Sequence, residues 1–109
     1  MARWKIKDLQ TSRGKKLIES FLEKQEKKSK TRVIRMILML EEYGPSLGMP
    51  YSKKIDKNLW ELRISGKGSF RVFYTIKGNE IILLHIFKKK TPRIPLKEIK
   101  LAKQRLGRY

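Results

Sequence analysis

Apolar positions in the first half of the chain follow a helical period after one short alternating segment. Residues 4–9 alternate weakly, which favours a first strand. Between residues 13 and 25 apolar side chains recur every three or four positions, and Thr11 or Ser12 can cap this helix. Residues 29–43 carry a second such repeat, which a Gly-Pro pair ends. So short a connection between two helices predicts an antiparallel helical hairpin.

The period changes to two in the second half of the chain. Residues 44–54 contain two Gly and two Pro, which predicts a loop. Strands are expected at residues 59–65, 70–77 and 81–87, because these runs either alternate or are apolar on both faces and are separated by turns that contain glycine. Residues 96–106 carry the apolar stripe of a final helix.

These elements predict a two-layer α+β fold in a single domain, residues 1–109, with the order β-α-α-β-β-β-α. Strands joined by tight turns form an antiparallel meander, and helices must cover an apolar sheet face. We therefore expect an antiparallel sheet with the N-terminal helical hairpin and the C-terminal helix on one face and an open second face. A length of 109 residues with 39% apolar residues allows one modest core.

The charge of the chain indicates a polyanionic partner. There are 28 Lys and Arg against 10 Asp and Glu, which gives a net charge of +18. Such an excess opposes compaction by self-repulsion, so we expect it to serve binding, first to nucleic acid and second to an anionic membrane surface. Cysteine is absent, and no apolar run approaches the roughly 20 residues of a membrane span. We therefore expect a cytoplasmic protein that does not insert into a membrane.

Residues for metal-dependent or histidine-pair chemistry are missing from the sequence. The acidic residues are scattered, and only Glu41 and Glu42 are adjacent, so a two-metal nuclease site is not expected. A single histidine, His85, excludes an acid–base pair of histidines and leaves a zinc site without ligands. The sequence thus predicts neither a metal site nor a cofactor.

The remaining candidates for chemistry are basic residues of the C-terminal half. Arg63 and Arg71 lie mid-strand among apolar residues on adjacent predicted strands, so both should face the open side of the sheet. Arginine grips phosphate oxygens through two parallel hydrogen bonds, and lysine adds a compact charge. Two lysines precede the predicted sheet and three end it: Lys53, Lys54, Lys88, Lys89 and Lys90.

Each of these residues also has a simpler structural interpretation. The lysines could be solvated surface residues, and the arginines could form ion pairs with Glu61 or Glu80. A lone histidine in a strand, such as His85, is more often part of the sheet packing than a catalyst. Phe73 shares the arginine face and could either stack on a base or pack beneath a partner. The residues alone leave these alternatives open.

Four ordered segments carry a resemblance to a known family. They are Leu59-Trp60-Glu61-Leu62-Arg63, Phe70-Arg71-Val72-Phe73-Tyr74, the run from Ile82 to Pro92, and Glu98-Ile99 through Ala102 to Arg105. Upstream of them, a Gly-x-x-Leu-Gly-x-Pro segment starts at Gly44 and precedes Lys53-Lys54. Together they resemble the RelE/ParE superfamily of bacterial toxins, and within it the HigB-like, phage-related branch. The resemblance covers essentially the whole chain.

This resemblance implies a toxin that is encoded beside an inhibitory antitoxin, expected to be a helix-turn-helix protein. RelE- and HigB-type members cut mRNA, usually on the ribosome and without a metal, by attack of a ribose 2′-hydroxyl on the adjacent phosphate. Carried over, Arg63 and Arg71 would hold that phosphate. One lysine among Lys54, Lys88, Lys89 and Lys90 would act as general base. The expected RNA contacts are Lys53, Lys67, Phe73, His85 and Arg93.

Two other functions remain as alternatives. ParE-like members of the same superfamily poison DNA gyrase and are not nucleases. A nucleic-acid-binding module without enzymatic or toxic activity is the third possibility. The lysines beside the two arginines favour the ribonuclease, because phosphate chemistry requires a basic cluster.

Overall fold

The computed structural model describes residues 3–9, 16–66 and 69–108, and the alternating and helical segments predicted above fall largely within these ranges. In chain order the elements are β1 (Lys5–Asp8), α1 (Leu17–Glu23), α2 (Lys27–Tyr43), a 3-10 turn (Gly44–Leu47), β2 (Ser52–Asp56), β3 (Leu59–Ile64), β4 (Phe70–Lys77), β5 (Glu80–Lys88) and α3 (Leu96–Leu106). The strands form one sheet in the order β1-β5-β4-β3-β2. The predicted α+β class is therefore confirmed.

The edge strand β2 was not predicted, because its first three residues were assigned to the loop 44–54 and its last two to no element. It pairs antiparallel with β3 and places Lys53 and Lys54 in exposed positions on the sheet edge. Charged residues are typical of edge strands, since they discourage pairing with other chains, and they also remove the apolar alternation from the sequence. The absence of that alternation explains why the segment was predicted as a loop.

The purely antiparallel sheet was a second wrong expectation. β1 pairs parallel with β5, with Lys5 opposite Glu80 and Asp8 opposite Leu83, whereas the other neighbouring strands are antiparallel. The helical hairpin and the strands β2 to β4 lie between β1 and β5 in sequence, so β1 joins the sheet from a distance. Strand direction in such a non-local pairing leaves no trace in the local pattern.

Helices cover both faces of the sheet, so the predicted two-layer arrangement with one fully open face was wrong. α1 and α2 pack on one face against a cluster that includes Leu62, Phe70 and Tyr74. On the other face Ala102 of α3 packs with the cluster that includes Phe73. β5 is apolar on both faces, as its sequence indicated, and both are buried here. We call the face that bears α3 the α3 face and its opposite the hairpin face.

The helix boundaries differ from the predicted ones near their N-termini. α2 begins at Lys27 after Glu26, two residues before the predicted start at residue 29, and no side chain caps its first turn. The predicted caps of the first helix, Thr11 and Ser12, lie outside the described residues. Where α2 ends, Gly44 has a φ of +59°, and a Cβ atom there would collide with the indole of Trp4. In the described ranges no helix is long and apolar enough to cross a bilayer.

Candidate functional site

The register of β3 and β4 brings the two predicted arginines together. Arg63 lies directly opposite Arg71 across the two strands. Side chains of directly paired residues project to the same face of a sheet. The sequence-based prediction that Arg63 and Arg71 share a face is therefore confirmed, and that face is the α3 face.

A buried carboxylate lies between the two guanidinium groups. Glu61, only 1% exposed, accepts a hydrogen bond of 2.8 Å from Arg63 Nε, and its second oxygen lies 3.7 Å from Arg71 Nε. Arg71 donates through Nη1 to the carbonyl of Phe70 at 2.9 Å. The ion pair that the sequence offered as the simpler interpretation is thus present. The single carboxylate neutralises one of the two positive charges, so the cluster retains a net charge of +1.

The contact between Glu61 and Arg71 is incomplete. Glu61 Oε2 and Arg71 Nε are buried, and neither has a hydrogen-bond partner among the described residues. Burial lowers the pKa of the Arg71 guanidinium, the Glu61 carboxylate acts in the opposite direction, and the charge of Arg63 adds to the lowering. Arginine still remains protonated at any physiological pH. The guanidinium of Arg71 is therefore a fixed, poorly solvated positive charge.

The two arginines differ in their access to solvent. The side chain of Arg63 is 29% exposed and that of Arg71 only 11% exposed. Within the described residues the Nη atoms of Arg63 have no hydrogen-bond partner, because its one bond uses Nε. A phosphate could be bound through the two Nη atoms of Arg63, with the charge of Arg71 behind it.

The predicted lysines divide between the two faces of the sheet. Lys53 lies opposite Glu61, on the α3 face, whereas Lys54 lies opposite Trp60, with its Nζ 5.1 Å from the indole centroid on the hairpin face. At the end of β5, Lys88 lies opposite Phe70 and shares the hairpin face.

Lys89 joins Lys53 on the arginine side of the sheet. Its backbone N–H donates to the carbonyl of Ser69 at 2.9 Å, which extends the ladder between β4 and β5 by one pair. Alternation therefore assigns Lys89 to the α3 face. Lys90 and Arg93 are exposed in the segment that follows β5, and Lys67 lies outside the described residues.

Phe73 and His85 lie on the α3 face but are covered. Phe73 is fully buried, with the ring of Phe87 at a centroid distance of 5.3 Å and that of His85 at 6.3 Å. No face of the Phe73 ring is open to a base in this structure. Of the two interpretations left open by the sequence, packing in the core describes Phe73.

His85 connects β5 to α3 through both of its ring nitrogens. Arg105 Nη1 lies 3.0 Å from His85 Nδ1, and Glu98 Oε1 lies 3.1 Å from His85 Nε2. Arginine can only donate, so Nδ1 must accept and the proton belongs on Nε2, where Glu98 accepts it. Burial lowers the pKa of His85, Glu98 raises it, and Arg105 lowers it further. A neutral His85 with both nitrogens occupied is a structural link.

The partners of His85 were not recognised in the sequence. Glu98 and Arg105 stand seven residues apart on α3, and the buried Ala102 lies between them on the same side of the helix. Charged residues at i and i+7 around a buried position were the available signal. Arg105 also donates to the carbonyl of Leu84 at 2.9 Å, so this pair fastens α3 to the sheet.

The surface that remains for chemistry consists of Arg63, Arg71, Lys53 and Lys89 around the buried Glu61, and we call it the arginine surface. Its groups can bind a phosphate and stabilise negative charge that develops on its oxygens. Within the described ranges no three His, Asp or Glu side chains are grouped as metal ligands would be.

A comparison with models of protein families gives a match. A family model described as phage derived protein Gp49-like (DUF891) matches residues 20–107. The matched segment contains all four basic residues of the arginine surface, together with α2 and α3. No curated protein sequence matches the chain.

Proposed function

The chain belongs to the phage-derived Gp49-like family, and from this membership together with the arginine surface we propose that it is the toxin of a toxin–antitoxin system and cleaves mRNA. Gp49-like proteins are a family of RelE/HigB-like toxins, which agrees with the resemblance found in the sequence. The placement in the HigB-like branch, the dependence on the ribosome and the helix-turn-helix antitoxin are parts of this proposal.

The observation that carries the proposal is the direct pairing of Arg63 and Arg71 on one sheet face. The resemblance to RelE-type ribonucleases implies that such a pair holds the scissile phosphate, and here the pair lies at 2.8 Å and 3.7 Å from one buried carboxylate. Preorganised charges of this kind stabilise a transition state without further reorganisation. A gyrase inhibitor has no need of such a phosphate site.

The proposed reaction is a transesterification within the RNA strand. The ribose 2′-oxygen forms a bond to the adjacent phosphorus, and the bond from phosphorus to the 5′-oxygen of the next nucleotide breaks. The products are a 2′,3′-cyclic phosphate and a 5′-hydroxyl. One proton leaves the 2′-hydroxyl and one reaches the departing 5′-oxygen, so a proton acceptor and a proton donor are both needed.

The residues of the arginine surface can be assigned to these roles. Arg63 and Arg71 hold the phosphate oxygens and balance their growing charge. Of the four lysines that the resemblance suggested as the base, Lys54 and Lys88 lie on the hairpin face, whereas Lys89 shares the α3 face with the arginines. We therefore assign acceptance of the 2′-hydroxyl proton to Lys89, and donation of a proton to the departing 5′-oxygen to the ammonium group of Lys53, on the opposite side of the arginine pair.

The test compares neighbouring lysines that project to opposite faces. Wild-type protein and the variants Arg71→Gln, Lys53→Gln and Lys54→Gln are induced in cells, and cleavage of cellular mRNA is mapped by primer extension. We expect cuts within codons for the wild type and a loss of about 10²-fold or more for Arg71→Gln. Lys53→Gln should weaken cleavage, whereas Lys54→Gln, its matched control one residue further along β2, should not.

The same experiment can refute the proposal. Intact transcripts in cells whose growth has stopped would exclude the ribonuclease, and a purified protein that then blocks DNA supercoiling would identify a ParE-like gyrase inhibitor. Wild-type cleavage by folded Arg71→Gln protein would exclude the arginine surface as the site. The antitoxin is tested separately, since co-expression of the neighbouring reading frame should restore growth and yield a complex that co-purifies.

A further inference from the structure

A basic groove crosses the hairpin side of the molecule and ends beside the arginine surface. It consists of two adjoining cavities, of about 800 Å³ and about 290 Å³, which share Arg32 and Arg35 as lining residues. The larger cavity lies at the connection between α1 and α2 and reaches Lys88. The smaller one lies between α2 and β3 and is lined by Tyr51 and Arg63. Arg63 lines this smaller cavity, while its side chain projects to the α3 face. Because β2 begins at Ser52, opposite Leu62, β3 forms the sheet edge beyond Arg63, and the basic groove meets the arginine surface around that edge.

The basic groove carries an excess of positively charged side chains. Its larger cavity is lined by six cationic residues, Lys24, Lys27, Lys28, Arg32, Arg35 and Lys88, and by one carboxylate, Glu26. Among the described residues, no carboxylate lies within 4.0 Å of the charged groups of Lys27, Lys28 or Arg35. These three side chains are exposed and therefore available to a ligand.

The position of the lysines opposes the stability of α2. The first turn of this helix contains Lys27 and Lys28 and no acidic residue. The N-terminus of a helix carries a partial positive charge, so lysines there destabilise the helix, and acidic residues would stabilise it. Stability alone would thus favour acidic residues in the first turn of α2. Lysines at these positions are instead suited to binding an anion.

The wall between the two cavities is built by specific contacts. Arg32 donates through Nη1 to the carbonyl of Ser65 at 3.0 Å, and its guanidinium lies 5.9 Å from the centroid of Phe70. Gly66 has a φ of +128°, and a Cβ atom there would collide with the guanidinium of Arg32. The loop after β3 therefore holds Arg32 in place, while Arg35, one turn further along α2, faces both cavities.

We propose that the basic groove binds the backbone of single-stranded RNA that continues from the phosphate held at Arg63. This inference rests on the proposed function for the identity of the strand at Arg63. The distance from Lys27 to Arg35 along α2 is about 12 Å at 1.5 Å per residue. It corresponds to three or four phosphates at roughly 3.4 Å along a stacked strand. Tyr51, exposed beside Arg63, offers an aromatic ring on which a base can stack.

The test measures binding of oligonucleotides that cannot be cleaved. Fully 2′-O-methylated RNA lacks the attacking hydroxyl, so its affinity reports binding whether or not the protein is a nuclease. A trinucleotide reaches only the arginine surface, whereas a strand of about twelve nucleotides fills the basic groove as well. Fluorescence anisotropy of both is followed against salt concentration for wild type, Lys27→Gln/Lys28→Gln and Arg63→Gln. Lys97→Gln/Lys100→Gln, with exposed lysines of α3, is the matched control.

The expected result depends on the length of the strand. Each lost phosphate contact lowers the slope of log K against log salt by about 0.7 for single strands, so two lost lysines lower it by about 1.4. Relative to roughly 1 M salt, where screening removes the difference, the affinity for the long strand should therefore fall about 25-fold at roughly 0.1 M salt. The trinucleotide should bind Lys27→Gln/Lys28→Gln as it binds the wild type. Arg63→Gln should lower the affinity for both oligonucleotides. The affinity of the α3 control for each oligonucleotide should remain within about twofold of the wild-type value.

Two outcomes would overturn the proposal. Equal affinity of the long strand for wild type and folded Lys27→Gln/Lys28→Gln would exclude the basic groove as its path. An equal loss in the α3 control would show that net charge, and not this groove, determines the affinity. Failure of the ribonuclease proposal is recognised separately, since mRNA would then stay intact while the length-dependent loss of binding persists. If cleavage does occur, Lys27→Gln/Lys28→Gln should raise KM and leave kcat unchanged.

Discussion

Replacement of Glu61 by glutamine tests how the arginine surface is held together. Glu61→Gln keeps the shape of the side chain and removes the negative charge that lies between Arg63 and Arg71. The hydrogen bond of 2.8 Å from Arg63 loses its charge assistance. The amide oxygen can face only one of the two guanidinium groups, so the NH2 group, itself a donor, must face the other. Removal of one partner of a buried ion pair destabilises a protein by about 3–5 kcal/mol.

The structure favours the lower end of that range. Arg63 is 29% exposed, so water screens part of its charge, and the contact to Arg71 at 3.7 Å is not a hydrogen bond. We expect Glu61→Gln to lose about 3 kcal/mol, which corresponds to a fall in Tm of about 12 °C at roughly 4 °C per kcal/mol for a domain of this size. Glu80→Gln, which removes a surface pair with Lys7, should lose less than about 1 kcal/mol.

Urea unfolding of the purified variants measures these differences. The midpoint should shift while the m-value stays constant, because the surface exposed on unfolding is unchanged. The double variant Glu61→Gln/Arg71→Gln should recover part of the loss, since it also removes the buried charge that the single variant leaves without a partner. A single variant as stable as the wild type, or a double variant with purely additive losses, would refute the view that Glu61 neutralises the arginine pair.

Three further predictions concern the rest of the fold. Burial lowers the pKa of His85, so the unfolded chain binds its proton more strongly, and unfolding free energy should fall as pH drops below about 6.5. His85 is the only histidine, so His85→Gln should remove this slope between about pH 7 and 5, and a persisting slope would contradict the assignment. Tyr74→Phe leaves the buried hydroxyl of Ser52 without its partner and should lower the free energy of unfolding in urea by about 1–2 kcal/mol, whereas no change would exclude that hydrogen bond. Gly44→Ala should lose about 2 kcal/mol in thermal unfolding because φ is positive and the indole of Trp4 occupies the space, and an unchanged Tm would show that both relax freely.

The predictions from sequence succeeded where the pattern is local. Helical and alternating periods located α2, α3 and the three strands β3 to β5 within a few residues. The shared face of Arg63 and Arg71 followed from alternation and the tight turn between two strands. Each of these inferences needs only residues that are close in the chain, because side-chain direction repeats with the backbone geometry of a single element.

The same method failed where an element depends on a distant partner. β2 has no apolar alternation, since it is an edge strand, and it becomes a strand only by pairing with β3. Because this segment was predicted as a loop, the sequence offered no means to separate Lys53 from Lys54. Adjacent residues of a strand face opposite sides, so pairing with β3 places one lysine beside Glu61 and the other on the indole of Trp60.

The sequence by itself determined that this is an α+β domain with a large positive charge and two arginines on one sheet face. Only the tertiary structure decided that α3 covers part of that face, that Phe73 is buried, and that Glu61 holds both guanidinium groups. Only the tertiary structure places Arg35 and Arg63 in the lining of the same cavity. Period and charge are properties of neighbouring residues, whereas coverage, register and electrostatic partners arise from contacts between segments that are far apart in the chain.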